Sequence, residues 1–186
     1  LELADEIYMK EVQNGRLEAM TALFDRYQVR MYNYFFKLSF DASQSEDLTQ
    51  QLFIRALQYR SSFRPEQGSV KTWLYRMAVN LHIDHSKRQA KHKMTVMPLD
   101  DVHGEVAEQT TSDFTEADYS TLDKALMQLE PEQQKLILLC RYQGLKYEEV
   151  AAIMGISVVN VKVKMHRAIL ALRKLYFSKS KGTYEL

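Results

Sequence analysis

The stretch Lys146–Arg173, KYEEVAAIMGISVVNVKVKMHRAILALR, spells two helices joined by a tight turn. Val150, Ala151 and Met154 give the first helix an apolar face. Gly155 follows, the residue best suited to a left-handed backbone at a helix end. Ser157 can cap the next helix by accepting a bond from a free backbone N–H near its start. Val161, Met165, Ala168 and Leu172 then recur at three- and four-residue spacings on one face. The other face offers Asn160, Lys162, Lys164, His166 and Arg167. A short helix, a glycine turn and a capped helix with a basic outer face is the helix-turn-helix pattern, whose second helix enters a DNA major groove. An ordinary helical hairpin with a solvated basic face is the competing reading, since the motif has false positives.

Working outward, the 186-residue chain has room for one ordinary domain or two small ones. Six glycines and three prolines, beside abundant Leu, Ala, Gln, Lys and Glu, point to an all-α protein. No apolar run approaches membrane-spanning length, and no secretory signal stands at the start, so no membrane insertion is expected. The single Cys140, in the apolar run LILLC, excludes a disulfide framework and reads as a buried core thiol. The expected compartment is the cytoplasm.

The net charge of +1 hides strong patterning. Residues 71–93 hold six Lys or Arg against one acid, Asp84; residues 162–181 hold seven and no acid. Between them, residues 94–120 carry seven acids and no Lys or Arg: Asp100, Asp101, Glu105, Glu108, Asp113, Glu116 and Asp118. Two basic regions thus flank an acidic one.

Periodicity predicts helices over about 3–14, 17–38, 45–59 and 70–91, with Ser45 and Ser69 as caps of the last two. Met20, Leu23, Phe24, Tyr27, Met31 and Phe35 mark the buried stripe of the second. Residues 60–69, with Pro65 and Gly68, read as a loop. The acidic stretch lacks a sustained period and reads as a flexible linker. Shorter helices follow over about 119–128, 131–142, 147–154 and 158–177, with Pro131 at a first-turn position. The expected fold is therefore all-α: two small helical domains, 1–93 and 119–178, joined by an acidic linker over 94–118, the second a helix-turn-helix domain.

The fourth helix, SVKTWLYRMAVNLHIDHSKRQAK, has two faces. Val70, Trp73, Leu74, Met77 and Leu81 form an apolar stripe; Arg76, Asn80, Asp84, Lys87 and Lys91 recur on another. Asn and Asp are poor interior helix residues, so they need either exposure or a use. Two readings stand. One is a solvated face with an Asp–Lys pair contributing a few tenths of a kcal/mol. The other is a helix that reads bases with Asn80 and Asp84 and holds phosphates with its Arg and Lys residues.

WLYRMAVNLHIDHSKR resembles the promoter-reading helix of bacterial extracytoplasmic-function sigma factors, in the pattern WL-x-x-[IM]-A-x-N-x-x-x-D-x-x-R. SEDLTQQLFIRAL resembles the same family's acidic EDL-x-Q-x-[VL]-F helix. LMQLEPEQQKLILL, followed by GLKYEEVAAIMGISVVNVKVKMHRA, resembles its carboxy-terminal domain. Three motifs in the family's order cover nearly all the chain and are together far more specific than the helix-turn-helix alone.

The resemblance implies an alternative sigma factor, a transcription initiation factor rather than an enzyme. Its partners would be core RNA polymerase, at the clamp and the flap, and promoter DNA, with an anti-sigma factor as a partner common in the family. No cofactor is implied. Polymerase contacts map to Asp47, Gln50, Gln51, Phe53 and Ile54, with Leu48 and Phe53 mainly core. Minus-ten contacts map to Asn80, Asp84, Lys87, Arg88 and residues 61–71, with Arg76 on the same helix face. Minus-thirty-five contacts map to the recognition helix: Ser157, Val158, Val159, Asn160, Lys162, Lys164, His166 and Arg167.

The chain departs from the family's Thr-Val-Lys-Ser-Arg in that helix with Asn160-Val161-Lys162-Val163-Lys164. Lys at 164 gives up a bidentate guanidinium contact. Val163 is expected to pack rather than touch DNA, and Val158 and Val159 can meet only thymine methyls or sugar carbons. Opening a promoter means holding unpaired bases outside the stack, at a few kcal/mol per base. Residues 61–71 and the start of the fourth helix are expected to form the pocket, with Arg64 and Lys71 on the backbone. Phe63 is read as a core anchor, with base stacking as its alternative. The acidic linker would lie in a polymerase channel as an RNA-like polyanion, the plain alternative being a polar tether.

Rival classes find less support. A conventional helix-turn-helix regulator would need a dimerising surface and an effector pocket. No phosphate-cradling glycine loop or serine elbow suggests an enzyme. His82 and His85 have helical spacing but no accompanying zinc signature, and read as exposed histidines on a basic face.

Overall fold

The computed structural model describes residues 2–96 and 120–181. The described residues are helical in two groups. The first group is α1 (Glu2–Gln13), α2 (Ala19–Ser39), α3 (Ala42–Gln58) and α4 (Val70–Val96), with two short 3-10 turns, Arg60–Ser62 and Pro65–Gln67, before α4. The second is α5 (Thr121–Met127), α6 (Pro131–Ile137), a π-helical turn Leu138–Tyr142, α7 (Tyr147–Met154) and α8 (Val158–Lys181). No described helix is long and apolar enough to cross a membrane. The seven linker acids lie outside the described residues, as does most of the linker; Met94, Thr95 and Val96, expected to open it, instead continue α4.

In the first group the stripe read from α2 is buried, Phe24 only partly, and is widened by Tyr34. It meets Leu48, Leu52, Phe53 and Ala56 of α3, and Leu74 and Leu81 of α4. Each such large apolar side chain contributes about 1.5–3 kcal/mol on full burial. Phe24 and Phe53 lock edge to face, with centroids 4.8 Å apart. α1 is pinned to α2 by Asp5, which is buried and accepts bonds from Arg26 and from the Tyr27 hydroxyl at 2.6 Å.

The start of α3 differs from expectation. Asp41, not Ser45, is its cap, accepting from the Gln44 N–H at 2.9 Å. Ser45 is buried one turn inside, and its hydroxyl turns back to the Asp41 carbonyl. Asp caps as well as Ser, and the helix gains three residues by starting at Ala42. Ser69 does cap α4, accepting from the Thr72 N–H at 3.2 Å. Gly155 ends α7 at φ 66°, the left-handed conformation read from the sequence, and Ser157 accepts from the Asn160 N–H at the start of α8.

The two groups pack on each other, and α4 is the element between them. Tyr75 donates to the Gln143 side chain at 2.6 Å, and Lys71 pairs with Glu149 of α7 at 3.3 Å. Lys37 of α2 pairs with Asp123 of α5, and Gln134 donates to the Lys37 carbonyl at 3.0 Å. Tyr75, Ala78 and Val79 are buried although they stand off the stripe predicted for α4; the Tyr75 ring packs on Tyr34 of α2 and its hydroxyl reaches the second group. The packing also corrects the histidines. His82 is largely buried, and that burial, with the charges of Lys135 and His85 beside it, lowers its pKa to about 4. His85 is partly buried, with Nδ1 unpartnered. Cys140 is half-buried rather than a full core residue, with its thiol pKa raised by that burial.

Candidate nucleic-acid interface

Pro65 at the first position of its 3-10 turn and Gly68 at φ 134° bend the chain sharply into the α4 N-terminus. The bend folds residues 62–69 over the first turns of α4 and encloses a cavity of about 260 Å³. Its walls are Ser62, Arg64, Gln67, Gly68, Ser69, Trp73 and Arg76. Arg64 is anchored on the loop, donating to the Phe63 carbonyl at 3.0 Å and to the Ser61 carbonyl. Arg76 lines the floor, and its Nε is buried without a hydrogen-bond partner. Arg64 and Arg76 give the cavity two cations, which favour an acceptor or an anion in it. Ser, Gln and Arg donors around one indole face suit a planar, polar ring.

Phe63 does not offer a stacking surface. It is 2% exposed and packs edge to face on Trp73, with centroids 5.8 Å apart. Trp73 lines the cavity instead. Sequence reasoning put Trp73 only in the apolar stripe; its three-residue spacing from Arg76 is the signal that joins the two on one wall.

From the cavity a polar strip runs down α4. Asn80, Lys87 and Arg88 are exposed. Asp84 is also exposed but pairs with Arg55 of α3 at 3.5 Å, not with a Lys of its own helix. Lys71, expected to hold nucleic-acid backbone, is largely covered and paired with Glu149. The α4 residues therefore divide into an open set, Asn80, Lys87 and Arg88, and an engaged set, Lys71 and Asp84.

α8 presents the second polar face. Its apolar residues Val161, Met165 and Ala168 are buried against the rest of its group. Ser157, Val159, Asn160, Lys162, His166 and Arg167 are exposed, Val159 at 67%. Val158 is half-buried. Lys164 is partly covered and reaches Glu132 of α6 at 2.6 Å. Val163 is 46% exposed, against the expectation that it packs: a position two residues after buried Val161 faces away from the core of a helix.

α3 offers a third surface. Asp47, Gln50, Gln51 and Ile54 are exposed at three- and four-residue spacings, hence on one face, with Ile54 an apolar spot among polar neighbours. Leu48 and Phe53 are core. Phe53 thus supports this face from beneath and does not belong to it. Among the described residues no group of three or more His, Cys, Asp or Glu side chains could hold a metal ion.

Residues 23–92 match the Sigma-70 region 2 family and residues 119–172 the Sigma-70 region 4 family. The chain is 32% identical over 163 residues to the RNA polymerase sigma factor YlaC of Bacillus subtilis, covering 84% of this chain and 91% of that one. It is 31% identical over 156 residues to the ECF RNA polymerase sigma factor SigL of Mycobacterium tuberculosis, covering 83% and 86% of the two chains. In fold it is similar to CnrH, solved in complex with the cytosolic domain of CnrY, with a TM-score of 0.70 at 21% identity over 94% of this chain and 98% of that one. It is similar likewise to the sigma factor RpoE of Bartonella quintana, solved with the anti-sigma factor NepR, with a TM-score of 0.67 at 23% identity over 84% and 95% of the chains. The chain belongs to the extracytoplasmic-function sigma factors, which direct RNA polymerase to promoters and initiate transcription.

Proposed function

We propose that this sigma factor reads a promoter at two places, with α4 and its cavity on the minus-ten element and α8 on the minus-thirty-five element. The observation that carries this is the cavity at the head of α4, lined by Arg64, Trp73 and Arg76, on the same helix as the exposed Asn80, Lys87 and Arg88. A base flipped from the duplex would enter beside Trp73 and accept from Arg76, repaying the few kcal/mol that unstacking costs. Asn80 would contact the neighbouring base, while Arg64, Lys87 and Arg88 hold phosphates.

Under the same proposal, α7 and α8 act as a helix-turn-helix. Lys162 and Arg167 would anchor the duplex by its phosphates, and Ser157, Val159 and Asn160, nearest the start of α8, would lie against base edges. Asp47, Gln50, Gln51 and Ile54 would face the polymerase clamp. The acidic linker would enter the polymerase channel as an RNA-like polyanion, to be displaced by growing RNA. An anti-sigma factor would clasp the two domains, as NepR and CnrY accompany RpoE and CnrH.

The test is transcription from a promoter library by core polymerase with the full chain, wild type and Asn80→Ala. Starts at a shared motif are expected, with base preference at one minus-ten position changed by about 1–3 kcal/mol in the variant. An identical sequence profile in the two proteins would reject the assignment of Asn80.

A further inference from the structure

Apart from the cavity at the head of α4, a cleft of about 590 Å³ lies between the two helical groups. That size is ordinary for a small-molecule site and far more than one phosphate fills. One wall is a face of α2, with Arg30, Asn33, Phe36 and Lys37; the other is the end of the π-helical turn, with Arg141 and Tyr142, continuing to Gln143 and Gly144. Its lining holds three cations and no carboxylate. Lys37 is occupied by Asp123, which lies outside the lining. Arg30 and Arg141 form no ion pair among the described residues. Packing the two groups together therefore brings two guanidiniums from opposite sides to one cleft without an anion between them.

The remaining groups match that charge. The Gln143 oxygen accepts from the Tyr75 hydroxyl at 2.6 Å, which fixes the amide and leaves its N–H groups as donors for the cleft. Asn33 is exposed on the facing wall and supplies a second amide. Phe36 and Tyr142 add ring surface, and Tyr142 is 42% exposed. π-helical turns are rare and occur often at functional sites. Guanidiniums recognise phosphate oxygens in pairs, and an aromatic ring beside them can stack on a base.

We propose that this cleft binds a nucleoside polyphosphate, its phosphates between Arg30 and Arg141 and its base against Tyr142. None of these residues belongs to the promoter-facing or polymerase-facing sets, so the proposal stands apart from those assignments. A ligand held by both walls favours the packed arrangement of the two groups, by an amount that grows with the logarithm of its concentration above Kd.

Calorimetric titration of the full chain with ATP and with inorganic tripolyphosphate tests it. ATP is expected to bind more tightly than tripolyphosphate. Arg30→Ala and Arg141→Ala should each weaken both ligands on the order of tenfold, the loss of one charged contact. Tyr142→Leu should weaken ATP and leave tripolyphosphate unchanged. Arg16→Ala, which removes an exposed cation elsewhere, should change neither. Both arginines are exposed, and unaltered helical circular dichroism and melting will show the variants folded. Absence of millimolar binding by either probe, or equal binding by wild type and both arginine variants, overturns the proposal. So does a loss of promoter affinity in Arg30→Ala and Arg141→Ala without nucleotide binding in the wild type, which would make the cleft a nucleic-acid backbone contact.

Discussion

Lys71 Nζ lies 3.3 Å from Glu149 Oε1, so a cation expected to face promoter DNA is paired instead with the other helical group. Glu149 also accepts the Lys146 N–H at 2.7 Å and the Thr72 hydroxyl at 3.4 Å, which fixes its carboxylate at the head of α7. The packed chain thus pairs Lys71 internally, and DNA that used Lys71 would have to compete with Glu149 for it. Glu149→Gln keeps an oxygen for the α7 cap and removes the charge. The isolated variant is expected to bind promoter fragments more tightly, by up to about fivefold, the range of a partly screened ion pair. Fluorescence anisotropy at low salt measures it, and unchanged affinity would mean Lys71 takes no part in binding.

Tyr75 and Tyr34 pack edge to face in one core, with centroids 5.7 Å apart, yet their hydroxyls have opposite fates. The Tyr75 hydroxyl donates across the interface to Gln143; the Tyr34 hydroxyl is buried with no partner. Tyr75→Phe should cost about 1 kcal/mol, while Tyr34→Phe should be neutral or stabilising, because it removes an unsatisfied polar group. Urea midpoints of the two variants decide it. Equal losses would show that the Tyr34 hydroxyl has a partner.

Asp5 is buried and accepts from Arg26 and from the Tyr27 hydroxyl. Asp5→Ala removes a buried carboxylate that accepts from both Arg26 and Tyr27 and ties α1 to α2, a loss of about 2–3 kcal/mol. Urea denaturation should show that loss. A cost below about 1 kcal/mol would mean that α1 contributes little to the folded domain.

His82 carries a pH dependence of definite sign. Burial, with Lys135 and His85 beside it, lowers its pKa from 6.5 to about 4. The unfolded chain therefore takes up the proton first as pH falls, and the folded state loses stability from about pH 6.5 down to about pH 4, with no change above that window. On the order of 2 kcal/mol should disappear between about pH 7 and about pH 5. His82→Gln should flatten that part of the curve, and a curve of unchanged slope would place the titration elsewhere.

The helix ends and the α2 stripe were legible because each is a local rule: an apolar period, a cap, a glycine with positive φ. Gly155, Ser157 and Ser69 stand where the residues alone put them. What was not legible depends on the second group of helices. Tyr75 and His82 stand off the stripe predicted for α4; the Tyr75 hydroxyl reaches Gln143, and His82 lies beside Lys135, both in the second group. No one-helix periodicity encodes such a neighbour. Asp41 was overlooked as a cap because Ser45 satisfies the same local rule. The pairing of Asp84 with Arg55, 29 residues away, and of Lys71 with Glu149, 78 away, lies beyond any spacing argument.

The cations of α8 are not equivalent, and salt dependence can separate them. Lys162 and Arg167 are exposed and form no ion pair among the described residues. Lys164 is held by Glu132 at 2.6 Å. A cation that is free before binding displaces condensed counterions from the phosphate it meets, so its loss should reduce the slope of log affinity against log salt by about 0.9. Lys162→Ala and Arg167→Ala should each do so. Lys164→Ala should reduce the slope by less, since DNA must first separate Lys164 from Glu132 and part of its charge is already neutralised. Glu132→Gln, which frees Lys164, should raise duplex affinity and steepen the slope. Anisotropy titrations on a minus-thirty-five duplex at four or more salt concentrations give all the slopes. If Lys164→Ala changes the slope as much as Lys162→Ala, and Glu132→Gln changes nothing, the ion pair opens freely and Lys162, Lys164 and Arg167 act alike on DNA.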